Sequence, residues 1–176
     1  MRLFVAVEID EPLKDKVVGI QTRILEPAIK LVERQNLHLT LRFIGEVSEE
    51  LTGKIREALR GVKMRPFEVE IGGVGTFPPG GKRVNVVWLD CKGQLAELAA
   101  RVEEALAPLG IRRDRGFVSH LTIARVKQRP IYLKERLECL GAAVIGRQVV
   151  DRFALKRSTL TPNGPIYEDV ELYKLG

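Results

Sequence analysis

Leu37-His38-Leu39-Thr40-Leu41-Arg42-Phe43-Ile44 and Ser119-His120-Leu121-Thr122-Ile123-Ala124-Arg125 contain the only two histidines of this 176-residue chain, and each histidine opens the same tripeptide, His-Leu-Thr. In the first stretch His38, Thr40 and Arg42 alternate with Leu37, Leu39, Leu41 and Phe43. A period of two is that of a strand with one polar and one apolar face, because successive side chains point to opposite sides. His and Thr of each motif then share a face, and the leucine between them enters the core. One such tripeptide is an ordinary piece of strand. Its repetition at both histidines points to a general acid and a general base facing one substrate, since imidazole gives and takes protons near neutral pH.

Outward from these strands, residues 2–8 read as a buried strand. Asp10 and Pro12 begin a helix, Asp10 as its cap, with Leu13, Val17, Ile20 and Ile24 at helical spacing. Ser48 opens a second helix that Gly61 stops. A short strand over 66–71 leads into Gly72-Gly73-Val74-Gly75 and Pro78-Pro79-Gly80-Gly81, expected to be the most flexible stretch, with Phe77 between them. A strand at 83–89, a helix at 94–109, the second motif's strand at 117–126 and a short helix at 133–140, after Pro130, follow. Strands at 143–150, 153–161 and 166–175 finish the chain, the last two joined as a hairpin by Thr161-Pro162-Asn163-Gly164-Pro165. The series strand, helix, histidine strand, helix, strand occurs twice with no polar linker. It implies a single domain over 1–176 made of two interleaved α+β lobes around a shared cleft.

A hydrophobic content of 45% with 30% charged residues suits a soluble protein with a substantial core. The opening apolar stretch is too short for a signal peptide, and no run nears the ~18 apolar residues of a membrane span. A cytosolic protein with no membrane partner is expected. Cys91 and Cys139 are isolated and read as reduced thiols. No local pair of ligands exists to nucleate a zinc site, so neither metal nor cofactor is expected. The net charge is +6, with 18 arginines to 11 lysines, which favours a nucleic-acid or nucleotide partner. Gly72-Gly73-Val74-Gly75 lacks the Lys-Ser/Thr of a P-loop, which argues against nucleotide-dependent ligation.

Two imidazoles and two threonine hydroxyls in one cleft suit in-line displacement at phosphorus. One histidine activates the incoming oxygen, the other protonates the leaving one, and Thr40 and Thr122 donate hydrogen bonds to the phosphate oxygens. Arg42 has the strand parity of His38 and is expected to face the substrate. Arg125 follows His120 by five residues, which puts it on the opposite face unless the strand bulges. The group Arg112-Arg113-Asp114-Arg115 reads either as a guide for a polyanion or as a solvated loop. Phe77 reads either as a platform for a base or as a loop anchor on the core.

Four stretches together resemble the RNA 2′,3′-cyclic phosphodiesterases, also called 2′-5′ RNA ligases, of the 2H phosphoesterase superfamily. They are Arg2-Leu3-Phe4-Val5-Ala6-Val7, Asn36 through Gly45, Ser119 through Arg125, and Leu160-Thr161-Pro162-Asn163-Gly164-Pro165-Ile166-Tyr167. The resemblance implies two antiparallel sheets with helices outside. It implies hydrolysis of a terminal 2′,3′-cyclic phosphate to a 2′-phosphomonoester, with a related transfer that makes 2′-5′ linkages. His38 would be the proton donor and His120 the acceptor, and Arg125 becomes a phosphate contact. The implied partner is RNA with a cyclic-phosphate end, tRNA fragments among them, met by a monomer without a cofactor. Two other readings stand beside it: a 2H enzyme for another cyclic or 2′-5′ phosphodiester, and a non-catalytic RNA-end binder.

Overall fold

In the computed structural model of the chain, which describes residues 1–79, 83–113, 115–128, 133–141 and 144–176, strand β1 (Arg2–Glu8) is the spine of a first sheet. Leu3, Phe4, Val5, Ala6 and Val7 are all buried, because this strand is covered on both faces. The other elements, in chain order, are α1 (Glu11–Thr22), β2 (Ile29–Leu31), β3 (His38–Glu46), α2 (Glu49–Arg60), β4 (Phe67–Phe77), β5 (Val86–Lys92), α3 (Leu95–Leu106), β6 (His120–Val126), α4 (Lys134–Leu140), β7 (Val144–Val150), β8 (Arg152–Thr161) and β9 (Gly164–Lys174). The strands form a four-stranded sheet in the order β3-β1-β8-β9 and a five-stranded sheet in the order β2-β6-β5-β4-β7. Their pairings are antiparallel throughout. The fold is therefore α+β with two antiparallel sheets, and the C-terminal hairpin β8-β9 completes the sheet that the N-terminal strand began.

Local chemistry accounts for the elements. Ser48 accepts a hydrogen bond from Leu51 N at 3.2 Å, Glu49 and Glu50 occupy the first turn of α2, and Arg60 its last. Asp10 precedes α1 as expected but makes no side-chain cap; its carbonyl accepts from Leu13 and Lys14 instead. Strand β4 runs through the stretch expected to be flexible. Glycine makes this possible: a Cβ at Gly75 would stand 2.2 Å from the Trp88 indole, so only a bare backbone passes beneath that ring. Strand β2 has only three residues, too few for a periodic pattern to show. Gly80, Gly81, Asp114, Pro130 and Ala143, which the sequence reading placed in turns, loops or a strand, lie outside the described residues.

The two histidine strands share an irregularity that positions the site. On β3, His38, Leu39 and Thr40 pair with Glu8, Val7 and Ala6, but Arg42 then pairs with Val5, leaving Leu41 as an extra residue. On β6, His120, Leu121 and Thr122 pair with Asp90, Leu89 and Trp88, but Ala124 pairs with Val87, leaving Ile123 as the extra residue. Each strand thus carries a one-residue bulge directly after its His-Leu-Thr. Leu41 and Arg42 are consecutive buried residues, as are Ile123 and Ala124, and the burial pattern of β6 matches that of β3 position by position from the histidine onward. The bulge reverses the alternation. Arg42 borders the cleft buried, and Phe43 takes the exposed place that unbroken parity would have given to Arg42.

Both bulges are held by buried polar side chains, as unpaired backbone groups in a core require. Gln21 of α1, buried, donates through Nε2 to Ile123 O and to Val32 O, each at 2.8 Å, and Val32 N donates to the same Ile123 carbonyl. Arg42, only 4% exposed, pairs with Glu103 of α3 at 2.5 Å and donates to Phe43 O and, at 2.6 Å, to Arg112 O. Removing one member of a buried ion pair leaves the other charged and unmatched. Arg42→Ala is expected to destabilise the fold by about 3 kcal/mol, read by urea unfolding. A loss under about 1 kcal/mol would mean that the pair does not hold this bulge.

Candidate active site

His38 and Thr40 on β3, His120 and Thr122 on β6, and Arg125 and Tyr167 line one cleft of about 620 Å³ between the sheets. Leu39 and Leu121, buried between each His and Thr, anchor their strands in the core. The bulge at Ile123 returns Arg125 to the face of His120 and Thr122, which strict alternation would have denied it. Arg125 is exposed and makes no ion pair with any described residue. Arg42 and Glu103 also border this cleft, and the Arg42 guanidinium is buried there in its pair with Glu103.

Each imidazole is fixed in the same way. His38 Nδ1 lies 2.6 Å from Asn36 O, and His120 Nδ1 lies 2.7 Å from Val118 O, in both cases the carbonyl two residues earlier. A carbonyl only accepts, so each Nδ1 carries a hydrogen. That leaves each Nε2 to take or deliver the proton. Thr40 Oγ1 stands 3.0 Å from His38 Nε2. Each ring is also braced edge-on by an aromatic side chain, Tyr167 against His38 at 86° and 5.1 Å, and Phe77 against His120 at 85° and 5.2 Å. Phe4 and Trp88 complete the two supports. Phe77 therefore ends β4 as a brace for His120, neither a loop anchor nor an open platform. The Trp88 indole Nε1 is buried without a hydrogen-bond partner among the described residues.

The electrostatic settings differ. Burial of His38 pulls its pKa from 6.5 to about 4, against the opposing effects of the Asn36 carbonyl and of Glu8. Glu8 stands opposite His38 on β1, and its carboxylate is shared by Lys156 and, at 3.4 Å, Lys14, while Lys156 also reaches Asp169 at 2.7 Å. Burial raises the Tyr167 phenol above its usual value, with Arg125 working in the opposite direction. Arg113, 83% exposed and 3.8 Å from Glu103 of α3, and Arg115 also line the cleft.

Gln21 and Glu103 carried no signal in a single sequence, and Phe4 and Tyr167 none beyond lying in stretches that carry the family resemblance. An aromatic on the last strand, or a glutamine inside a helix, gains its meaning only from the partner that folding brings to it. Cys91 and Cys139 are free thiols, and burial with Asp90 nearby pushes Cys91 up to about 12. No group of three or more His, Cys, Asp or Glu suited to holding a metal occurs among the described residues. No helix among them is long and apolar enough to cross a membrane.

Comparison with known proteins places this geometry. Residues 10–155 match the family described as the 2′-5′ RNA ligase superfamily. An RNA 2′,3′-cyclic phosphodiesterase of Archaeoglobus fulgidus is 43% identical over 99% of this chain and 100% of its own, and one of Methanocaldococcus jannaschii is 38% identical over 97% and 99%. The crystal structure of TT0787 of Thermus thermophilus superposes with a TM-score of 0.82 at 32% identity, covering 99% of this chain and 97% of that one. With sequence likeness along nearly the full length and the fold in common, the chain belongs to the 2′-5′ RNA ligase superfamily.

Proposed function

We propose that this protein is an RNA 2′,3′-cyclic phosphodiesterase that opens a terminal cyclic phosphate to a 2′-phosphomonoester by metal-independent acid–base catalysis. The observation that carries the reading is the matched pair of imidazoles, each pinned through Nδ1 to a carbonyl with Nε2 left for chemistry. The names of its relatives support the substrate class. With the phosphorus between the two rings, His120 Nε2 takes a proton from water as its oxygen bonds to phosphorus. The P–O3′ bond breaks, and His38 Nε2 delivers a proton to O3′. One water is consumed, and the phosphate remains on O2′. Thr40, Thr122 and Arg125 hold the non-bridging oxygens, where negative charge grows. Replacing water by a 5′-hydroxyl gives a 2′-5′ linkage by the same proton movements. Arg42, in the cleft wall, serves this chemistry by holding the bulge. We expect the protein to act as a cytosolic monomer on RNA ends that include tRNA fragments.

The direct test is incubation of chelator-treated protein with RNA ending in a 2′,3′-cyclic phosphate, resolving the two product isomers. The 2′-phosphate is expected, and His38→Ala and His120→Ala should each lower the rate by about 10²–10⁴-fold. Full activity in the double variant, or dependence on added metal, would sink the mechanism. Arg125→Ala is expected to reduce kcat/KM by roughly ten- to hundredfold, the loss of a charged hydrogen bond to phosphate.

The pH dependence has a distinctive form. His38 must be protonated to act as donor, and the donor form declines as pH rises through its pKa, which is about 4 in the free protein. The cyclic phosphate brings a negative charge beside the ring and favours imidazolium. The alkaline fall assigned to His38 should therefore lie at higher pH in kcat, which reports the complex, than in kcat/KM, which reports the free enzyme. Coincident profiles would mean that bound phosphate does not supply the donor's counter-charge.

A further inference from the structure

The cleft walls differ in how their cations are balanced. On the α3 side, Arg42 and Arg113 both meet the Glu103 carboxylate. On the side of β2 and β6 the lining cations are Lys30 and Arg125, and neither forms an ion pair or hydrogen bond with any described residue. Acidic residues of the flanking segments are engaged elsewhere: Glu26 by Arg136, Glu33 by Gln35, and Glu168 by Arg157. Two positive charges are thus left in one wall of the cleft without a carboxylate among the described residues to answer them.

Strand pairing forces these two cations together. Lys30 and Arg125 are direct partners in the register of β2 with β6. Ile29 enters the core, and the exposed Lys30 alternates onto the cleft side. Like charges directly opposite one another in a sheet repel, and an anion beside them removes that cost. Arg125 shares the face of His120 and Thr122, so its anion is the reacting phosphate. Lys30 stands one inter-strand spacing further out, about 4.8 Å, because β2 is the edge strand of its sheet. Its ammonium reaches toward the other sheet: Nζ lies 3.6 Å from where a Cβ on Gly164 would stand, at the start of β9 and next to the cleft-lining Pro165. An exposed ammonium at that margin suits a second anion, outside the one that Arg125 holds. In an RNA end, the next anion along the chain is the phosphodiester that joins the terminal nucleotide to its neighbour. A nucleoside 2′,3′-cyclic phosphate has none.

We infer that Lys30 forms a second anion subsite, which takes the phosphodiester on the 5′ side of the terminal nucleotide and so selects RNA ends over nucleoside cyclic phosphates. This rests on the phosphodiesterase reading above and adds to it how far along the chain the substrate is read. The test uses a dinucleotide ending in a 2′,3′-cyclic phosphate, joined either by an ordinary phosphodiester or by an uncharged methylphosphonate. Lys30→Gln is expected to lower kcat/KM on the ordinary dinucleotide about three- to tenfold, through KM, and Lys30→Arg to restore it. The methylphosphonate should cost the unaltered enzyme a similar factor, with no further loss in Lys30→Gln, because the charge that Lys30 answers is gone. A merely structural role would lower both substrates alike. Equal losses on the two linkages, or none on the ordinary one, would overturn the inference while leaving the phosphodiesterase reading intact. Failure of the unaltered enzyme to open either dinucleotide would remove both.

Discussion

In an unbroken strand, the residue five places beyond a histidine points away from it. Here one extra residue in each histidine strand reverses that relation, and the site depends on it. Leu41 and Ile123 are the inserted residues. Each costs the sheet regular pairing, and the cost is tolerable because buried groups take up the backbone: Gln21 at Ile123, and Arg42 with Glu103 around Leu41. Helices α1 and α3 are therefore more than cover for the sheets. They carry the hydrogen bonds and charge that make two bulged strands stable, and the bulges decide which side chains meet the substrate.

The histidines show how backbone contacts can select a protonation pattern. An Nδ1–H bound to a carbonyl leaves Nε2 as the working atom of both rings, so either can serve as acid or base. Their difference comes from surroundings. His38 is recessed beside Phe4 and Tyr167, and burial disfavours its charged form more than Glu8 favours it. A donor in such a setting gains its proton most readily when an anion is already bound. Substrate charge then becomes part of the catalytic arrangement, and the Glu8, Lys14, Lys156 and Asp169 cluster beside His38 keeps the local balance near neutrality in its absence.

Much of this was legible in the residues. The duplicated His-Leu-Thr identified both imidazoles and both hydroxyls as cleft-facing, because a period of two is a local property that a short stretch can carry. The helix at Ser48, the hairpin at Thr161-Pro162-Asn163-Gly164 and the paired lobes were readable for the same reason. Arg42 and Arg125 were not. Parity gave Arg42 to the cleft, where it stands buried against Glu103, and denied it to Arg125, which the bulge at Ile123 returns. Resemblance to a family had singled out Arg125, but nothing in the local pattern announced Leu41 or Ile123 as extra. Strand β4 also departs from its reading, running on to Phe77 through three glycines, of which Gly75 passes close beneath Trp88.

Residue order alone was enough for the secondary structure of both histidine strands, the face shared by His and Thr, and the chemical class those groups suit. Each of these follows from side-chain type and strand period over a few residues. Long-range packing settled where the strands bulge, that Arg125 meets the cleft exposed, and that Arg42 meets it buried in an ion pair. These outcomes depend on hydrogen bonds and an ion pair to residues far away in the chain, Gln21 for Ile123 and Glu103 for Arg42. Register in a sheet is settled by such distant partners, and a strand's own sequence does not contain them.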